Sequence, residues 1–436
     1  MKVGIIVDNP QRDLAGCLAL ANELKKFNFR PILIPSNLRF YEIGKIKPNY
    51  VLFPNLRWPN VELAKYLKNN GVKIGIIDSE GGFVSKTNDI LRTYDKNINY
   101  KNLVDNWFFW GPKFYASFIN HLNLYEDNCH IVGNPKFDLY KSQKPGIERK
   151  KILIATGFPL YNNTLGKNKT WKSEIKHNIK EDELTRVYQN QKKQFFEVVQ
   201  LINDLTSKYP DYKFVLRPHP FENIQNYIDE VNVSNLIIDN KRLSHQELLD
   251  SSLLIHFISS LAFEASLCML NNVSIKNMVP NDILNSSNPL LKLTTFVDKK
   301  EDLVENLEKF LFIRDYSDID LGDYVFKDSN LSSSKLISSI ISRHNFNTPD
   351  EKEVEKLIYG FISDQKLSLL KYLIRKFLNI KLKYRFNLRN RVKAWKKTYK
   401  YFSIEDVNLI INDVKLNNEI LYFDKDKISI EVLNEK

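Results

Sequence analysis

Apolar and polar positions follow two alternating periods along the first 135 residues. Unbroken apolar runs at 2–7, 30–35, 50–53 and 72–77 have strand length. Between them, apolar residues recur every three or four positions, as at Leu14, Cys17, Leu18, Ala21 and Leu24. This period predicts helices over 14–27 and 61–69, the second stopped by Gly71. The pattern restarts beyond a polar stretch at 143–151 that contains Pro145-Gly146. Strands are expected at 151–155, 213–216, 235–238 and 253–258, and helices at 191–208, 245–251 and 261–270.

Strands apolar on both faces and separated by helices imply a parallel sheet covered on both sides. Two such units in succession give an α/β fold of the GT-B plan: two Rossmann-like parallel-sheet domains facing a cleft, with ligands at the carboxyl ends of the strands. The expected domains are 1–142 on the acceptor side and 151–344 for the nucleotide-sugar. After a polar, proline-containing stretch at 345–352 the character changes, and 350–436 reads as a basic helical extension.

The formal charge of +12 raises the question of nucleic acid. Its distribution answers differently. Thirteen lysines and arginines and no acid fall between Lys366 and Lys400, which leaves the rest of the chain close to neutral. Leu370, Leu373, Ile374, Phe377 and Leu378 share one helical face within that segment. A basic amphipathic segment suits the anionic inner leaflet, so 366–400 is expected to touch the cytoplasmic membrane peripherally. A solvated helix and a nucleic-acid-binding protein with an inactive GT-B body are the competing readings. No apolar run reaches membrane-spanning length, and the N-terminus lacks a signal-peptide core, so a cytoplasmic protein is expected. Cys17, Cys129 and Cys268, odd in number and far apart, read as reduced thiols.

Three strand ends carry candidate chemistry. Asp78-Ser79-Glu80-Gly81-Gly82 follows the fourth apolar run. One of its carboxylates can act as base or nucleophile toward an anomeric carbon, while Gly81 and Gly82 admit a close substrate; a turn with a capping acid is the alternative. Arg217-Pro218-His219-Pro220 ends another strand. Its prolines stiffen the backbone, so that His219 can bond a phosphate oxygen and Arg217 can grip the phosphate. In Ile258-Ser259-Ser260-Leu261-Ala262-Phe263-Glu264, hydroxyls and backbone N–H groups at a helix start can hold an anion, and Glu264 can reach a ribose; plain capping competes. Asp8-Asn9-Pro10-Gln11-Arg12-Asp13 fills the first strand–helix loop, with Asp8, Asn9 and Arg12 as candidate substrate contacts and a turn with a cap as the alternative, whereas Gly133 to Asp138 reads as a structural elbow and His245 and His256 as structural. No G-x-G-x-x-G, no phosphate-binding Gly-Lys-Ser/Thr loop and no metal-ligand spacing occurs, so neither cofactor nor metal is expected.

The run Val3-Gly4-Ile5-Ile6-Val7-Asp8-Asn9-Pro10, the 78–82 motif and Gly133-Asn134-Pro135-Lys136-Phe137-Asp138 resemble bacterial surface polysaccharide biosynthesis proteins. More distantly, the ordered acidic-Gly, His-Pro and Ser-Ser motifs resemble GT-B sialyltransferases and β-Kdo transferases, which use CMP-activated sugars. The resemblance spans roughly residues 1–340. It implies metal-independent transfer of a Kdo- or nonulosonate-like sugar to a glycan or lipid-linked glycan, for lipopolysaccharide or capsule. His219, Pro220, Ser259 and Ser260 would hold the CMP phosphate, and Asp78 or Glu80 would be the catalytic carboxylate. Sialyltransferases place two acids directly before the glycine; here Ser79 separates them, which leaves the choice open. The second domain also resembles CDP-glycerol glycerophosphotransferases, the runner-up reading.

Overall fold

The computed structural model describes residues 1–57, 59–81, 91, 93–140, 150–164, 166, 181–231, 233–239, 244–286, 288–326, 331–359, 402–413, 419–423 and 428–433. The chain divides into two compact units, Met1–Leu139 with Leu321–Lys436, and Tyr140–Asp320.

In the first unit the four apolar runs become parallel strands β1 (Lys2–Val7), β2 (Arg30–Pro35), β3 (Tyr50–Phe53) and β4 (Lys73–Ile77), and two strands absent from the sequence reading, β5 (Asn106–Phe109) and β6 (Cys129–Ile131), join them. They lie side by side in the order β2-β1-β3-β4-β5-β6. Ile32, Ile34, Val51, Phe53 and Ile74 are wholly buried, because helices cover both faces of such a sheet. Strand order reverses between β1 and β3, and crevices at such reversals are where open α/β sheets bind ligands. The helix Pro10–Lys26 starts at this point, with Pro10 in its first turn and Asn9 as its cap, accepting from the Gln11 N–H at 3.1 Å.

The second unit is a parallel sheet of β7 (Lys151–Ala155), β8 (Lys213–Arg217), β9 (Leu236–Ile238), β10 (Leu253–His256), β11 (Asn272–Ile275) and β12 (Thr295–Val297). Its order is β12-β11-β10-β7-β8-β9, the Rossmann order, with the reversal between β7 and β10. Two Rossmann-like units therefore follow one another, as the GT-B plan requires. The helix Glu181–Lys208 extends N-terminally beyond the expected 191–208, with Leu184 buried and Glu181, Asp182 and Glu183 in its first turn, which suit the positive end of a helix dipole.

The C-terminal third departs from expectation in two ways. Residues 321–344, assigned by sequence to the second domain, pack with the first unit. The Phe326 N–H donates to the Trp110 carbonyl at 2.6 Å, and Asp138 caps the helix Ser333–Ser342 through the Ser333 and Ser334 N–H groups, both at 2.9 Å. Gly133, at φ +80°, lies where a Cβ would stand 2.6 Å from the Ser333 hydroxyl. The elbow at 133–138 is thus the seat of the returning chain. The extension 350–436 is likewise not a separate helical appendage where it is described. After the helix Ile404–Asp413, strands β13 (Glu419–Tyr422) and β14 (Ile430–Leu433) form an antiparallel pair, and β14 adds antiparallel to β2. Glu431 bonds Arg30 at 2.8 Å, and the Ser429 hydroxyl donates to buried Glu42 at 2.7 Å. The basic segment 366–400 lies outside the described residues, among which no helix is long and apolar enough to cross a membrane. The three cysteines are free.

Candidate functional site

Each unit gathers its own constellation at the carboxyl edge of its sheet. In the first, the loops after β1, β3 and β4 meet, and the Ser79 N–H donates to the Pro54 carbonyl at 3.0 Å. Asp78 is buried. Its Oδ1 accepts the Glu80 N–H at 2.9 Å, and its Oδ2 accepts the Tyr94 hydroxyl at 2.8 Å. Glu80 reaches outward, its side chain 48% exposed, between two arginines: Arg57 at 2.8 Å and Arg12 at 3.4 Å. Arg12 also bonds the Ser79 hydroxyl at 2.8 Å and Asp13 at 2.7 Å, and it approaches Asp8 at 3.5 Å. Asn9 and Asp13 close the loop: the Asn9 N–H donates to Asp13 at 2.9 Å. Gly81 follows as a turn residue, its N–H bonded to the Asp78 carbonyl; Gly82 lies outside the described residues.

The surroundings shift the two carboxylates in opposite directions. Burial pushes the Asp78 carboxyl up, against the pull of Arg57, the Glu80 N–H and Tyr94. Partial burial also opposes charge on Glu80, but the Arg57 bond and the charges of Arg57 and Arg12 outweigh it and hold the group below its ordinary range. Burial opposes the charge of Arg12 too, and Asp13, Glu80 and Asp8 reverse the balance. Arg57 and Tyr94 are absent from the sequence reading. Arg57 had a signal, being a cation in the loop after a central strand; Tyr94 had none.

In the second unit, β8 and β10 flank β7, so the His-Pro and Ser-Ser loops leave the sheet on strands about 10 Å apart. The organising group is Glu222, 1% exposed. Its carboxylate accepts from the His219 N–H at 2.8 Å, the Thr156 hydroxyl at 3.0 Å and the Tyr227 hydroxyl at 2.7 Å. It thereby ties the β7 exit to the β8 exit. Burial pushes its carboxyl up, against these donors. His219 Nδ1 accepts the Phe221 N–H at 3.2 Å, so the neutral imidazole carries its hydrogen on Nε2. Gly157, exposed beside Thr156, has no atom within 4 Å of where a Cβ would stand, which leaves room at the strand reversal.

The Ser-Ser loop differs from expectation in detail. Two of its N–H groups are already engaged: Ser259 N–H donates to His256 Nδ1 at 3.2 Å, and Leu261 N–H to Ser259 Oγ at 3.3 Å. Ser260, exposed, makes no capping bond with its side chain. Ile258 sits at φ +57°, a left-handed conformation that a β-branched residue adopts at a cost of about 1–3 kcal/mol, and such strain gathers at functional loops. Glu264 is not placed for a ribose: it is 4% exposed and accepts the Tyr140 hydroxyl at 2.6 Å. Arg217, half-buried at the end of β8, has its pKa lowered by burial, against the charges of Glu264, Glu247 and Asp239.

His256 is structural, as its apolar setting suggests. Wholly buried, with Nε2 against Asn272 Oδ1 at 2.9 Å, it is pushed down to about 4 by burial. Its ordinary value is about 6.5, so the unfolded chain takes up the proton first as pH falls. The stability it contributes is complete above pH about 6.5 and is lost down to pH about 4, about 3 kcal/mol in all. Melting of the protein across pH 7 to 4 should fall more steeply than melting of His256→Gln. Parallel slopes would remove His256 as the titrating group.

Among the described residues, no group of three His, Cys, Asp or Glu is arranged to hold a metal. No protein-family model matches the chain, and no curated protein matches its sequence. Solved structures of similar shape include the UDP-GlcNAc 2-epimerase of Methanocaldococcus jannaschii in complex with UDP-GlcNAc and UDP (13% identity, 79% of this chain, 100% of that one, TM-score 0.45). The UDP-GlcNAc 2-epimerase of Neisseria meningitidis bound to UDP-GlcNAc is 15% identical over 79% of this chain and 100% of that one, with TM-score 0.44. The wall teichoic acid polymerase TagF, soaked with CDPG, is 13% identical over 84% and 90%, with TM-score 0.47.

Proposed function

We propose that this chain is a glycosyltransferase of surface polysaccharide biosynthesis that takes a sugar from a CMP-activated donor and passes it to a glycan or lipid-linked glycan, without a metal. The observation that carries the reading is the turn held by Glu222, which presents the imidazole of His219 as an Nε2–H donor at the carboxyl edge of a Rossmann-ordered sheet. A donor fixed there meets the charge that grows on a leaving phosphate. Ser260 offers a second, uncommitted hydroxyl at the neighbouring strand exit. Glu80 supplies the other half of the chemistry: ionised at neutral pH and exposed, it can take the acceptor's proton in an inverting step or attack the anomeric carbon in a retaining one. Asp78 acts through Glu80, fixing its backbone. Asp8 and Arg12 border the same carboxylate and are assigned to the acceptor side. The basic segment 366–400 is assigned to the inner leaflet, where lipid-linked acceptors reside.

The nucleotide is tested by thermal shift with CMP, CDP, UDP and GDP. CMP or CDP at 100 times its dissociation constant should stabilise the second unit by about 2.7 kcal/mol, and UDP and GDP much less. Preference for UDP or GDP would redirect the donor. Turnover of CDP-glycerol in place of a CMP-sugar would move the chain to glycerol phosphate transfer.

A further inference from the structure

The turn that carries His219 ends on a side chain that the proposed mechanism does not use. Phe221 is 54% exposed, while Pro218 before the turn and Glu222 after it are buried. Water gives a phenyl ring no partner, and few of the large apolar side chains described here stay this open. Nor is Phe221 loosely placed. Its N–H is bonded to His219 Nδ1 at 3.2 Å, and its carbonyl accepts the Thr164 N–H at 2.9 Å. The next residue pairs antiparallel with Asn163 and has its carboxylate locked in the core. The phenyl ring lies 5.3 Å from the imidazole, centroid to centroid, at 50°. An aromatic face is thus held rigidly in water beside the donor assigned to a phosphate.

We infer that Phe221 is the base-stacking face of the nucleotide site, an inference that rests on the nucleotide reading above. A phenyl ring has no hydrogen bond to give a phosphate, so what it can recognise is the apolar, flat part of the same ligand. In a nucleotide that part is the base, joined to the phosphate through a single ribose, which matches two recognition groups on one tight turn. Stacking rewards any base for its π face. Choice among bases then falls to other groups, and Phe221 sets the affinity that all nucleotides share. Because its N–H fixes the imidazole tautomer, the residue also links the base and phosphate contacts through its backbone, which a side-chain substitution leaves in place.

Isothermal titration of the full chain, of Phe221→Ala and of Phe221→Trp, each with CMP, CDP, UDP and ribose 5-phosphate, tests this. Phe221→Ala should weaken the preferred nucleotide roughly 5- to 150-fold and leave ribose 5-phosphate unchanged. Phe221→Trp should bind nucleotide about as well as the native chain, with its indole fluorescence quenched on binding. Equal losses for nucleotide and ribose 5-phosphate would overturn the inference in favour of a role in shaping the turn. Undiminished nucleotide binding by Phe221→Ala would overturn it with the nucleotide reading intact. If the native chain bound none of the nucleotides, the site reading itself would fall, and this inference with it.

Discussion

Glu80→Gln should lower the turnover of sugar transfer about 10²- to 10⁴-fold while costing at most about 1 kcal/mol of stability, the scale of its half-exposed pairs with Arg57 and Arg12. The side chain is half exposed, so an amide of the same shape removes little packing. What it removes is an ionised oxygen that can hold a proton or form a bond. Asp78→Asn should behave differently. Its carboxylate is buried, receives Tyr94 and the Glu80 N–H, and is drawn toward Arg57 at 3.4 Å. An amide there disturbs the turn and leaves Arg57 less well balanced, so stability should fall by about 1–3 kcal/mol, with a smaller loss of turnover than in Glu80→Gln. The pH dependence of turnover separates the two without mutation. Glu80 lies below the ordinary carboxylate range and Asp78 above its own, each for the reasons of charge and burial already given. A rate that depends on ionised Glu80 stays level down to pH about 5. One that begins to fall above that value, together with an inactive Asp78→Asn and an active Glu80→Gln, would exchange their roles.

Much of this arrangement is legible before any coordinates, and the exceptions have physical causes. Strands β1 to β4 and β7 to β10 could be read because burial on both faces leaves apolar runs, and the motif loops because they sit where those runs stop; β5, β6, β11 and β12 are absent from that reading. The extent of the helix Glu181–Lys208 could not be read, since before residue 191 its apolar positions Leu184, Val187 and Tyr188 are sparse among charged and polar ones. β13 and β14 are hidden too: short strands at a sheet edge resemble many polar-flanked segments, and β14 pairs with β2, nearly 400 residues away. At the candidate sites, residue type and strand end singled out Asp78, Glu80, His219, Ser259 and Ser260 as candidates. The groups that hold them were hidden, because Glu222, Tyr227 and Tyr94 act through three-dimensional contacts. Glu222 is the instructive case. It stands three residues after His219, yet only its burial distinguishes it from an ordinary acid on a turn. Glu264 errs in the opposite direction: its spacing after Ser260 suits a cap or a ribose, and the fold gives it to Tyr140.

His219→Ala should cost about 10²- to 10³-fold in turnover, the scale for losing one oriented donor at a developing negative charge. The loss should appear in kcat more than in nucleotide affinity, because charge on the departing phosphate is greater in the transition state than in the bound donor. Folding should be spared, since the ring is only half-buried and the turn is anchored through the His219 backbone and Glu222, neither of which the substitution removes. His219→Gln supplies the internal control. Its amide N–H reaches about as far as Nε2–H, so part of the rate should return if donation matters, and none if the imidazole must carry a proton. Glu222→Gln separates position from chemistry. It keeps an oxygen for the His219 N–H and for Tyr227 but loses the charge. A carboxylate that merely holds the turn should tolerate that change better than His219 tolerates alanine. Near-native turnover in His219→Ala would take the imidazole out of the reaction and leave the second unit without its assigned phosphate donor.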